Sequence, residues 1–177
     1  VDSRVRPSDS LVEALAARIL AASRPVIVVG DEVVKSDAQA AVGALAEAIG
    51  APIYQQSIAY GAHMTSRHPC FMGALTRQQP TTRKMLEPFD LLIALGTDPV
   101  RMSVYSEVDA KPNGLATIQV GLVDWDIAKN HPVELGVMAD VRETLQVLTP
   151  VLKSKGGAAL SKRAAAVVAG LTEKNWS

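Results

Sequence analysis

"RPVIVVG" (residues 24–30) is a continuous apolar run, rich in β-branched residues and bounded by a proline and a glycine. Too short for a helix and lacking polar alternation, it reads as a strand buried on both faces. Four other segments share the pattern: "PIYQQ" (52–56), "DLLIALG" (90–96), "LATIQVG" (115–121) and "ELGVM" (134–138), the paired glutamines of the first interrupting it. Strands buried on both faces belong to a sheet covered on both sides, so the intervening segments should be helical.

They carry helical signals. Ser10-Leu-Val-Glu13 has the spacing of a capping box, followed by Leu11, Leu15 and Ile19 on one face. Ser36-Asp-Ala-Gln39 repeats it, with Val42, Leu45, Ala46 and Ile49 as the stripe, Gly50 suited to end the helix and Pro52 to prevent its continuation. Pro80 fits the first turn of a helix running to about Leu86; Asp124 predicts a short helix through Lys129; Asp140 with Glu143 opens another, with Val141, Leu145 and Leu148 inward. This order predicts a doubly wound, mostly parallel sheet in a Rossmann-like three-layer α/β/α sandwich. After Gly156-Gly157 comes an alanine-rich helical stretch with little large apolar surface, read as a tail or connector.

Charge and composition narrow the function. Lysine plus arginine equals aspartate plus glutamate at 18 each, so no net field draws nucleic acid or an anionic membrane. The single cysteine cannot form an intramolecular disulfide or a multi-cysteine zinc site. No apolar run approaches the roughly 20 residues that span a bilayer, and no signal peptide is evident, so cytoplasm is the expected compartment. The chain starts at valine, which suggests a piece of something larger.

In such a sheet, ligands bind beyond the carboxyl ends of the strands, where Gly30, Gly96 and Gly121 fall. Each glycine either serves a crevice or permits a tight turn. The first loop reads Gly30-Asp31-Glu32, not Gly-x-Gly-x-x-Gly, and its two carboxylates would repel a phosphate. Asp98, in "GTDPVR" (96–101), lies at the same edge, as a ligand contact or a solvated turn residue. "SRHPCFMG" (66–73) brings an arginine, a histidine and the cysteine together, but adjacency supplies neither a nucleophile's base nor metal spacing; His68 and Cys70 are read as structural. His63 and His131 are isolated and Trp125 packs at an edge.

With its surroundings, that last stretch says more. "MTSRHPCFMG" (64–73) resembles the segment of thiamine diphosphate-dependent 2-oxo acid decarboxylases, benzoylformate decarboxylase especially, where the second strand of the central domain runs into a long loop. "RPVIVVGDEV", "FDLLIALGTDPVR", "ATIQVGLVDWDIAKN" and "VMADVRETL" resemble, in order, the other strand and turn segments of that domain in benzoylformate decarboxylase and acetolactate synthase.

The resemblance implies a three-domain subunit, with an N-terminal domain supplying the activating glutamate and a C-terminal one holding magnesium and the diphosphate. It implies a linker at 1–10, the central domain at 11–153 and a helix or linker at 154–177. The family's Gly-Asp-Gly and Asn-Asn cofactor signature is absent from the sequence. The expectation is a fragment without catalytic or metal residues of its own, belonging to a decarboxylase or carboligase that uses thiamine diphosphate and Mg2+, neither bound by this chain. Its partners would be the missing domains of the same chain in a homo-oligomer, dimer or tetramer, with no nucleic acid and no membrane. In acetolactate synthase the central domain holds FAD, and in oxalyl-CoA decarboxylase ADP. This chain departs from those patterns at Gly30-Asp31-Glu32, Thr97-Asp98-Pro99 and Gly121-Leu122-Val123, so FAD is not expected and ADP only weakly. A nucleotide crevice would be formed by Gly30, Asp31, Gly61, Gly96, Thr97, Asp98 and Gly121. A nucleotide-binding regulatory module is the alternative function. A sirtuin-like deacylase would need a paired-cysteine zinc ribbon, which a single cysteine excludes.

Overall fold

The computed structural model describes residues 4–176. Among them, β1 (Pro25–Val29), β2 (Ile53–Gln55), β3 (Phe71–Ala74), β4 (Leu91–Leu95), β5 (Ala116–Gly121) and β6 (Leu135–Met138) form one sheet. Its order is β3-β2-β1-β4-β5-β6 and every pairing is parallel. This is the doubly wound order, whose direction reverses between β1 and β4. The five apolar runs are all strands; β3, inside the "SRHPCFMG" region, is an addition to them. It is a short, half-buried edge strand within the apolar run "CFMGAL" (70–75).

Alternation along β1 and β4 divides the core. Ile27, Val29, Leu91, Ile93 and Leu95 face one side with Ile118 and Val120, packing against three helices: α1 (Asp9–Ala21), α3 (Gln39–Ile49) and α5 (Val141–Trp176). Val26, Val28, Leu92 and Ala94 face the other, under α4 (Gln79–Leu86) and the segment that supplies Val100, Ala110 and Leu115. Burying one such side chain contributes about 1.5–3 kcal/mol, so both faces are stabilised mainly by apolar contact.

The helix signals need correction at their starts. The cap of α1 is Ser8, not Ser10: its Oγ accepts from Leu11 N–H at 3.3 Å, and Glu13 reaches across to Lys155 Nζ at 2.6 Å. Ser36 ends the short helix α2 (Asp31–Lys35), its backbone N–H and hydroxyl both donating to the Glu32 carbonyl. Asp37 then takes φ 52°, and α3 begins at Gln39 without a side-chain cap. Gly50 does end α3, at φ 67°.

The predicted helix from Asp124 to Lys129 is only one 3-10 turn, Asp124–Asp126. Gln119 explains this. Its amide donates to the Asp126 carbonyl at 2.8 Å and its oxygen accepts from Ala128 N–H at 2.9 Å, using groups that a continuing helix would need; Ala128 has φ 58°. The break at Gly156-Gly157 is a kink at Gly157 (φ 55°, ψ −150°) within α5, after which the helix lies on α3. Leu160 and Ala164 are buried there, and a Cβ on Gly50 would come within 2.8 Å of Ala164 Cα. Helix contact therefore needs few large side chains where the backbones approach this closely. Among the described residues, no helix is long and apolar enough to cross a membrane.

Candidate functional site

The carboxyl ends of β1, β4 and β5 bring Gly30, Asp31, Gly96, Thr97, Asp98 and Gly121 to one edge, at the point where the winding reverses. Gly61 lies beyond the end of β2 and shares a groove with Asp31. It sits in the exposed segment between β2 and β3, its carbonyl accepting from Gln55 Nε2 at 2.9 Å, beside a shallow groove lined by Asp31, Val34, Lys35, Tyr60 and Ala62.

Most polar groups at this edge are committed to one another, although His63 Nδ1 and one Asp98 oxygen are buried without a partner. Asp31 accepts from Gln56 Nε2 at 3.1 Å through one oxygen and lies 2.7 Å from His63 Nε2 through the other. His63, which appears isolated in sequence, is 1% exposed. The Thr97 hydroxyl meets Gln56 Oε1 and the Asp98 carbonyl. Asp98 accepts from Asn130 Nδ2, and its second oxygen is buried without a partner. Burial raises the Asp98 carboxyl above the usual carboxylate range, with Asp126 pushing the same way and the Asn130 hydrogen bond, His131 and Arg101 opposing. His131 is shifted the other way: burial and Lys111 lower it, while Asp98, Asp109 and a Val100 backbone hydrogen bond oppose.

The sequence places the Glu32 carboxylate where it would repel a phosphate. Its Oε2 instead accepts from Leu122 N–H at 2.6 Å. A Cβ on Gly96 would lie 2.5 Å from Glu32 Cβ, and one on Gly121 would lie 2.9 Å from Glu32 Oε1. At Gly30, a Cβ would meet Thr97 Cβ at 2.4 Å and Gln56 Oε1 at 2.8 Å. These three glycines admit the protein's own side chains over the backbone.

The sequence did not single out Gln56 and Gln119. Each is a glutamine in or just after a strand run, and each is nearly buried. A buried amide must find partners, which marks such positions as junctions. Gln119 also donates to the Thr97 carbonyl at 3.1 Å.

"SRHPCFMG" forms a separate junction on the other side of the sheet edge. His68 Nδ1 accepts from Cys70 N–H at 3.2 Å, His68 Nε2 is 3.4 Å from Glu47 Oε1, and the His68 carbonyl accepts from Asn175 Nδ2 at 3.2 Å. The ring covers Gly43, where a Cβ would lie 2.6 Å from His68 Nε2. Burial, with Glu47, pushes the Cys70 thiol up to about 11, away from the thiolate a nucleophile requires. Among the described residues, no three His, Cys, Asp or Glu side chains are grouped to hold a metal ion.

With this geometry in hand, residues 12–148 match the family described as thiamine pyrophosphate enzyme, central domain. The chain belongs to that family. It is 26% identical over 148 residues to benzoylformate decarboxylase of Pseudomonas aeruginosa, covering 84% of this chain and 28% of that protein. It is 28% identical over 183 residues to sulfoacetaldehyde acetyltransferase of Rhodobacter capsulatus, covering 98% and 30%. Among solved structures, the thiamine diphosphate-dependent 4-hydroxybenzoylformate decarboxylase of Rhodococcus jostii superposes with a TM-score of 0.78 at 28% identity, over 86% of this chain and 29% of that one. The central-domain chain thus spans less than a third of the length of these relatives.

Proposed function

We propose that this chain is the central, structural domain of a thiamine diphosphate-dependent 2-oxo acid decarboxylase or carboligase of the benzoylformate decarboxylase type. Residues 11–153 form the domain, and the segments before and after it lead to the N- and C-terminal domains of the same polypeptide. Those domains would supply the activating glutamate and the magnesium-bound diphosphate of a homo-oligomeric enzyme. The observation that carries this reading is the commitment of the carboxylates after β1: Asp31 to His63 and Gln56, and Glu32 to Leu122 N–H. A group already satisfied within the fold is poorly placed to move a proton on a substrate. The cofactor, when bound in the whole enzyme, supplies the electron sink for decarboxylation. This chain holds the flanking domains in place.

Titration calorimetry of the isolated chain with thiamine diphosphate and Mg2+ tests the assignment, alongside 2-oxo acid turnover by the chain joined to its flanking coding sequence. The expected results are no heat of binding for the isolated chain and turnover for the joined one. A magnesium-dependent dissociation constant near 1 μM (about −8 kcal/mol) for the isolated chain would overturn the proposal.

A further inference from the structure

An open parallel sheet receives phosphate-bearing ligands where its winding reverses, and glycines there usually let a ligand approach the backbone. At Gly30, Gly96 and Gly121 the approaching atoms belong to the protein. The Cα and Cβ of Glu32 and the Val33 amide lie over Gly96, the Glu32 carboxylate lies over Gly121, and Thr97 with Gln56 covers Gly30. The Glu32 carboxylate also takes the Leu122 N–H, a charge-assisted bond of the kind a phosphate oxygen would otherwise make. The cavity beside it, lined by Glu32, Lys35, Ser36, Leu122, Val123 and Asp140, holds about 160 Å³, below the roughly 300–1,000 Å³ of ordinary ligand sites, while the groove past Asp31, with Lys35, Tyr60 and Gly61, holds about 410 Å³.

A diphosphate therefore does not fit beside Glu32. We propose that Glu32 determines ligand specificity at this crevice: it is a built-in anion that occupies the phosphate position and closes the domain to ADP and FAD. Two physical effects combine. The carboxylate fills the volume above Gly121, and its charge repels a diphosphate from the same amide. Asp31 plays no comparable part, because His63 and Gln56 hold both of its oxygens. Truncation at position 32 joins the small cavity to the space above Gly121 and frees the Leu122 N–H. This inference concerns the crevice of this chain alone and does not depend on which reaction the whole enzyme performs.

The test compares the full chain with Glu32→Gly and Glu32→Gln, titrated with ADP and with FAD and checked for folding by thermal melting. Glu32→Ala replaces the glycine variant if that one fails to fold. The unaltered chain is expected to bind neither nucleotide at about 1 mM; Glu32→Gln, which removes the charge but keeps the volume and an acceptor for Leu122, gains less than the truncation, which tightens ADP binding at least ~10-fold. Independently of any ligand, the Leu122 amide should exchange with solvent at least ~10-fold faster in the truncated variant, because its partner is gone. The proposal is overturned by saturable micromolar binding of ADP or FAD to the unaltered chain, or by a folded truncation variant without gained affinity. It is equally overturned if Glu32→Gln gains as much as the truncation, or if the Leu122 amide exchanges unchanged.

Discussion

The two faces of the sheet are covered by different means. On one, α1, α3 and α5 lie over Ile27, Val29, Ile93 and Ile118, and the contact is almost wholly apolar. On the other, α4 shares the work with non-helical chain around Val100, Ala110 and Leu115, and the strands present Thr117 and Gln119 as well as Val26 and Leu92. A helix satisfies its own backbone groups, so its cover needs only apolar side chains. A loop leaves them to be satisfied by others. Gln119 meets the Thr97 and Asp126 carbonyls and Ala128 N–H; Arg83 meets the Asp109 and Lys111 carbonyls; Gln79 meets the Val104 carbonyl and Ser57 that of Arg101. Polar residues on the second face are the means by which loop replaces helix.

Truncation of a core residue should separate the faces most sharply. Ile93→Ala, under three helices, is expected to cost about 3–5 kcal/mol in urea denaturation, and Leu92→Ala nearer 2 because loops settle into the space more easily. Equal losses would show the two covers to be equally rigid. Next comes Gln119→Leu, expected to cost about 2 kcal/mol by leaving buried backbone groups unpaired, with faster amide exchange at Ala128. The same substitution made without loss would break the account of the loop-covered face.

Cys70→Ala, on the helix-covered side, should lower stability by about 1 kcal/mol while the turnover of a full-length enzyme is kept. In the unaltered chain the thiol should react slowly with a disulfide reagent near neutral pH, since its pKa is about 11. A folded variant without turnover would make this junction a site after all.

The smallest effect is a pH dependence confined to the loop face. His131 has its folded pKa below the unfolded value, so the unfolded state binds the extra proton and stability falls as pH drops through the mid-6 range toward the folded pKa. Asp98 has the opposite sign. Its folded pKa is raised, so protonation favours the fold, and stability falls as pH rises from the usual carboxylate value through the folded one. Thermal melts of His131→Asn should lose the first slope and those of Asp98→Asn the second; unchanged profiles would remove both groups from the account.

The sequence disclosed the apolar skeleton because period and punctuation are local. Residues 25–29, 91–95 and 116–121 are strands since nothing but a covered sheet accommodates such runs. Phe71–Ala74 escaped because an edge strand is half-buried, and its place is set by pairing with β2 rather than by its own pattern. The caps shifted because Ser8 and Ser10 both stand near the start of α1, and Ser36, ahead of α3, is taken by the end of α2. At the candidate site the glycines were legible and their occupant was not. Glu32 follows Asp31 directly, yet one turns to Leu122 and the other to His63, a divergence that only α2 and the ends of β4 and β5 determine.

The all-parallel pairing has a consequence for how the chain reaches this structure. No strand can join a neighbour by a tight hairpin: β1 must wait for β2 across α3, and for β4 across some 60 residues. Each pairing closes a long loop before any contact rewards it, so folding should be slow for the domain's size, on the order of milliseconds to seconds. During that interval the apolar edges of β1 and β4 stand open together. Expression conditions that crowd unfinished chains should therefore favour aggregation over the native pairing.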